Sequence, residues 1–166
     1  MAGRDPAIHV FLPGQGVDGN TDLTYQVWTD EALTGGGVYL SSILRSTSGG
    51  DYRVKLRIQP TGATSVQLTR VVGGTETAIT SQVSAGTYTT GTKVNIRAQA
   101  TGGSPTTLRY KVWLGAAAEP TAWTQTATDS TAGLQATGAV GFVTYVSGSA
   151  TANAVIKYDN LSAKAL

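Results

Sequence analysis

The chain has 166 residues, enough for one domain with a sizeable core. Charged residues make up 13% and the formal net charge is +2, which argues against the strongly basic surface of a dedicated nucleic-acid binder. With no cysteine there is no disulfide framework, thiolate metal site or cysteine nucleophile.

In chain order, the opening MAGRDPAIHVF carries a single strand signal, Ile8 to Leu12. It has neither the basic region nor the long apolar run of a secretory signal, and no run reaches the ~18 residues of a membrane span. The expectation is a chain without membrane insertion. From Asp22 onward short alternating runs are separated by turn residues. Leu23 to Trp28 is followed by the Gly35-Gly36-Gly37 turn, then Val38 to Arg45, Tyr52 to Gln59, and a stop at Pro60-Thr61-Gly62. Ser65 to Val72 runs into the hairpin signal Gly73-Gly74 and on to Glu76 to Val83. Val94 to Ala100, Leu108 to Leu114, Val140 to Val146 and Ala154 to Leu161 complete the predicted strands, with one helical turn expected near Glu119 to Trp123 because Pro120 suits a first helical position. Many short strands with Gly/Pro turns and no sustained helical period predict an all-β antiparallel sandwich. Residues 22–166 form the predicted sandwich, and residues 1–21 an N-terminal arm or improvised edge strand.

Alternation assigns faces. In YRVKLRIQ, Tyr52, Val54, Leu56 and Ile58 oppose Arg53, Lys55, Arg57 and Gln59. In VNIRAQA and LRYKVWL the polar sides carry Arg97, then Arg109, Lys111 and Trp113. If these strands share a sheet, one outer face collects Arg53, Lys55, Arg57, Arg97, Arg109 and Lys111. That face is either a solvated surface that discourages aggregation or a contact surface for an acidic partner.

Chemistry is sparsely signalled. Glycoside hydrolysis needs two carboxylates across the scissile bond, yet no strand carries two acids two residues apart. His9 is the single histidine, and no Gly-x-Ser-x-Gly elbow occurs. The sequence therefore reads as non-enzymatic. Carbohydrate stacking would use exposed aromatics: Trp28, Trp113 and Tyr145 are the foremost candidates, with Tyr39 and Trp123 beside them. For Trp113 the competing reading is packing beneath the loop that returns through Glu119-Pro120-Thr121-Ala122-Trp123.

The runs GGGVYLSSILR, DYRVKLRIQPTG, LTRVVGGTE, TGGSPTTLRYKVW, AAAEPTAW, ATDSTAGLQATGAVGF and KYDNL together resemble the laminin-G-like, concanavalin-A-like jelly rolls of actinobacteriophage virion proteins and actinobacterial exported proteins. The resemblance implies a jelly-roll sandwich in a structural or decoration protein of a phage head or tail, with a lectin-like domain for host-surface glycans. It also implies assembly in the host cytoplasm, with an extracellular carbohydrate-binding module of a larger bacterial protein as the alternative and a glycoside hydrolase as the third reading. Family members carry more strand before the segment matching DLTYQVW. That departure implies that the N-terminal region pairs with a neighbour, in a homo-oligomer or with other virion subunits. The ending Tyr158-Asp159-Asn160-Leu161 is similar to jelly-roll modules that hold a structural calcium, which would place an ion at Asp159; the alternative is an Asp159 that bonds backbone amides.

Overall fold

The computed structural model describes residues 7–12 and 19–166. The rest of the predicted N-terminal arm, residues 1–6 and 13–18, lies outside the described residues. Eleven strands are described: β1 (Ala7–Phe11), β2 (Thr21–Thr29), β3 (Val38–Thr47), β4 (Gly50–Ile58), β5 (Thr64–Val72), β6 (Thr75–Ala78), β7 (Val94–Thr101), β8 (Thr106–Leu114), β9 (Gln125–Asp129), β10 (Ala139–Val146) and β11 (Ile156–Ala165). They form a six-stranded sheet, β1-β10-β3-β4-β5-β6, and a five-stranded sheet, β11-β2-β7-β8-β9, antiparallel throughout. No helix occurs among the described residues.

The alternating runs place their apolar sets inward, as period-2 patterning demands. Leu23, Tyr25 and Val27 of β2 meet Val54, Leu56 and Ile58 of β4 and Leu108 and Tyr110 of β8 in one core. Each such aliphatic side chain contributes about 1.5–3 kcal/mol on full burial. The Gly73-Gly74 hairpin forms as its sequence predicts: φ is 57° and 79°, the left-handed pair that a two-residue turn between β5 and β6 requires.

Three elements differ from the sequence reading. The predicted helical turn at Glu119 to Trp123 is an irregular loop that bends at Thr121 and Ala122. Its residues are held by side-chain contacts to β7 and β8 rather than by a helical ladder. β9 has no counterpart among the predicted strands, because QTATD lacks large apolar residues; it exists through its backbone register with β8, Thr106↔Asp129 to Tyr110↔Gln125. The strand after the hairpin ends at Ala78, and Val83 keeps only an isolated bridge to Val66.

A polar network ties the two sheets at one end. In β3 the register shifts between Ile43 and Arg45, so Arg45 pairs with inward-facing Tyr52 instead of Asp51. Arg45 is thereby 1% exposed. Its guanidinium donates to Thr106 Oγ1 at 2.7 Å and to the carbonyls of Gly102, at 2.9 Å, and Gly19. Beside it Asp129 of β9 accepts from Tyr52 Oη at 2.6 Å and from Arg70 of β5, while Gln135 Nε2 donates to Tyr52 Oη at 2.8 Å. Burial opposes ionisation of Asp129, yet the bonds from Thr131, Tyr52 and Arg70 outweigh it and hold its pKa down at about 2.

Candidate functional site: a groove across the six-stranded sheet

The six predicted basic residues do not share a face. Arg53, Lys55 and Arg57 stand on β4 in the six-stranded sheet, whereas Arg97, Arg109 and Lys111 stand on β7 and β8 in the five-stranded sheet. Each strand does turn its basic residues outward, but the two sheets pack core to core, so their outer faces look in opposite directions.

The outer face of the five-stranded sheet is a self-satisfied lattice. Arg97 donates to Asp22 at 3.0 and 2.7 Å and pairs with Glu119 at 3.2 Å. Lys111 reaches the same Glu119 at 3.0 Å. The bond from Lys111, joined by that from Arg97, keeps the Glu119 carboxyl below its usual range, the opposite of what a general acid requires. Arg109 donates to Gln99 at 2.8 Å and stacks 4.4 Å from the Trp123 ring, which also lies 5.0 Å from Lys111. Trp123 therefore closes its loop over two cations of β8, and Trp113 is half-buried on the same strand. Trp28 is likewise engaged: its indole donates to Asp30 at 2.9 Å and Lys93 sits 4.9 Å from its ring. Lys93 also pairs with Asp159 at 3.0 Å, and Asp159 accepts the Asn160 amide at 2.8 Å. The Asp159 carboxylate is thus engaged by an ammonium and a backbone amide. Among the described residues no group of three His, Asp or Glu side chains assembles to hold a metal.

The six-stranded sheet offers a different surface. A groove of about 660 Å³ crosses it, walled by Tyr39 and Ser41 of β3, Tyr145 of β10, His9 of β1 and Arg53 and Lys55 of β4, with Glu76 and Ser147 at its rim. The volume falls within the range of small-molecule sites. Tyr39 and Tyr145 are cross-strand partners, so the register itself sets their rings side by side at 5.6 Å and 51°. Lys55 and Arg57 stand 5.5 and 5.0 Å from the Tyr39 ring. The groove continues past Tyr39 and Lys55 into a smaller polar hollow of about 190 Å³ lined by Arg57, Ser65, Gln67 and Gln82. From β1 to β5 the surface spans roughly 20 Å, given the strand spacing.

The charges of this groove are unequally spent. Arg53 pairs with Asp51, and Lys55 with Glu76, which also accepts from Thr69 at 2.9 Å. Arg57 has the Gly36 carbonyl at 3.2 Å, while its Nε is buried without an acceptor. Of the three foremost aromatic candidates, the structure brings Tyr145 into the groove and leaves Trp28 and Trp113 on the opposite sheet. The sequence reading passed over His9, Ser41, Glu76 and Ser147 as groove residues. Their signal was available only as pairing: His9↔Val143 and Ser41↔Lys55 follow from strand order.

No protein-family model matches the chain, and no curated protein sequence does. Solved structures do. A carbohydrate-binding module, CBM66, from Bacillus subtilis superimposes with a TM-score of 0.67 at 13% identity, over 97% of this chain and 83% of that one. The fold is a jelly-roll β-sandwich. A PL-14 alginate lyase from Aplysia kurodai gives a TM-score of 0.54 at 11% identity, covering 92% of this chain and 72% of that one. The GH43 protein BlXynB from Bacillus licheniformis gives 0.57 at 10% identity over 89% of this chain, which spans only 28% of that protein. Binding modules and enzymes share this scaffold, so function has to be argued from the site.

Proposed function

We propose that this chain is a non-enzymatic carbohydrate-binding domain that holds an oligosaccharide across the six-stranded sheet, between the Tyr39–Tyr145 pair and Arg57. The groove of about 660 Å³ with its paired tyrosines carries the reading. A sugar ring is amphipathic: its C–H face packs on an aromatic ring, and its hydroxyls need donors and acceptors around the edge. Ser41, Ser147, His9 and the Lys55–Glu76 pair supply those at the groove walls. Arg57, whose guanidinium lies beside the Tyr39 ring and has a carbonyl but no carboxylate partner among the described residues, favours a glycan that bears a carboxylate or phosphate.

The acids support binding rather than hydrolysis. Asp22, Glu119, Asp129 and Asp159 each sit beside a cation that lowers the carboxyl pKa, whereas a glycosidase needs one acid kept protonated. The biological setting we propose is a phage particle assembled in the host cytoplasm, where this domain meets host-surface glycans; the resemblance of the seven sequence runs supports it. The second reading, a module of a larger exported bacterial protein, draws on the fold shared with the carbohydrate-binding module CBM66.

The test is a glycan array of neutral and acidic cell-wall oligosaccharides followed by calorimetry. Binding that Tyr39→Ala and Tyr145→Ala abolish supports the groove. Binding unaffected by both, or a hydrolysed product, refutes it. Mass spectrometry of purified phage particles, finding the chain or missing it, decides the setting.

A further inference from the structure

Strand register arranges the outer face of the six-stranded sheet in rows. Tyr145↔Tyr39, Tyr39↔Arg57 and Arg57↔Ser65 are successive pairs across β10, β3, β4 and β5, so these four side chains stand in one row. The neighbouring row runs through Ser41↔Lys55 and Lys55↔Gln67. β6 stops at Ala78, yet the chain beyond it returns to β5 at one bridge. There Val66 and Val83 exchange amide–carbonyl bonds of 2.8 and 2.9 Å. Val83 packs on the core, so alternation turns Gln82 outward, opposite Gln67. These two amides wall the polar hollow of about 190 Å³ on the side away from Tyr39.

The hydrogen-bonding groups of this hollow are unspent. Among the described residues, neither the Ser65 hydroxyl nor the Gln67 and Gln82 side-chain amides bond to another protein group. On the opposite sheet the outward amides are engaged: Gln26 donates to Asn95 at 2.8 Å, and Gln99 accepts from Arg109 at 2.8 Å. No carboxylate lines the hollow. Lys55 is balanced by Glu76, whereas Arg57 has the Gly36 carbonyl at 3.2 Å and no carboxylate partner among the described residues. One unbalanced cation therefore stands beside a hydroxyl and two amides, groups that both donate and accept.

We infer, resting on the carbohydrate-binding role proposed above, that the hollow seats a single uronic acid unit of the bound glycan. Its volume lies below the ~300 Å³ at which complete small-molecule sites begin, so it suits one unit of a ligand whose neighbouring units lie in the main groove. The row sets the order. A unit held at Tyr145 and Tyr39, whose rings stand 5.6 Å apart, is followed one strand spacing along, ~4.8 Å, by the unit at Arg57. A uronate carboxylate is a planar monoanion, so the terminal N–H groups of Arg57 meet its oxygens and the single charges cancel. The hydroxyls of the same ring fall to Ser65, Gln67 and Gln82. A phosphodiester between units carries its charge on a tetrahedral linkage instead of on a hydroxylated ring, and would leave both amides without partners.

Calorimetry on the intact chain tests the seat with galacturonate, glucuronate and mannuronate oligosaccharides and the carboxyl-reduced form of each. Reduction keeps length and linkage and removes only the charge. At least one uronate form is expected to bind about tenfold or more tightly than its reduced counterpart. Gln67→Leu and Gln82→Ala change no charge; each should weaken that uronate several-fold at an unchanged salt dependence. Their melts should match the wild type, because Gln82 is exposed and Gln67 half-buried. Wild-type affinity in both glutamine variants overturns the seat, since a long-range attraction to Arg57 alone would survive them. Equal affinity for uronate and reduced forms, lost in Tyr39→Ala, overturns the seat and leaves the groove standing. Binding to neither form removes the groove reading and the seat with it. A glycerol-phosphate oligomer bound as tightly as the best uronate overturns the carboxylate assignment.

Discussion

Replacing Asp129 by Asn tests how the two sheets are held together. Asp129 links β9 of one sheet to Tyr52 and Arg70 of the other. Its pKa lies at about 2 against an ordinary 3.8, because the bonds from Thr131, Tyr52 and Arg70 outweigh the cost of burial. A depressed carboxyl contributes stability that is fully present above its unfolded pKa and is lost as pH falls through the folded one. The unscreened linkage is about 2 kcal/mol, and solvent reaching the Arg70 side reduces it to roughly 1–2 kcal/mol. In a chain of this length that corresponds to a melting shift of roughly 3–6 °C. Melts of the wild type and Asp129→Asn, followed by circular dichroism from pH 6 to pH 2, should differ by this amount at pH 6. The gap should shrink between pH 4 and pH 2. Other depressed carboxyls, such as Asp22 and Asp159, affect both proteins alike and cancel in the difference. A gap that stays constant down to pH 2 would refute the electrostatic account of this clasp.

Other outcomes follow from the same structure. Tyr39→Ala and Tyr145→Ala should each weaken glycan binding at least tenfold, about 1.4 kcal/mol, while Trp28→Ala and Trp113→Ala leave it unchanged; calorimetry separates the two pairs. Arg57→Gln should selectively reduce affinity for acidic over neutral glycans and flatten the salt dependence of binding, read by titration at two ionic strengths. Arg45→Ala leaves buried carbonyls and Thr106 without their donor and should cost about 3 kcal/mol, measured by denaturant unfolding. Millimolar calcium should leave the melt unshifted, since Lys93 occupies the Asp159 carboxylate; a stabilisation that chelator reverses would restore the metal reading.

Much of the architecture was legible in the order of residues. Period-2 runs such as YRVKLRIQ identified strands and their buried sides, because a pleated strand with one face in the core enforces alternation. The Gly73-Gly74 turn was legible for an equally local reason, the left-handed φ that glycine adopts freely. Glu119 could be dismissed as half of a same-strand carboxylate pair from spacing alone. What spacing could not supply was the pair of cations, Arg97 and Lys111, that hold it.

The undetermined part was partnership between strands. Nothing in the sequence says that β4 lies in one sheet and β7 and β8 in the other, and that assignment splits the basic residues between opposite faces. Alternation puts Arg45 outside with Ser41 and Ile43; a bulge that alternation cannot register turns it inward to bind the opposite sheet. Tyr39 and Tyr145 lie more than a hundred residues apart and become a binding wall only because β3 pairs with β10 in register. Strand identity and facing direction are local properties of backbone geometry and burial. The groove and the inter-sheet clasp are products of long-range pairing, which the tertiary structure alone decides.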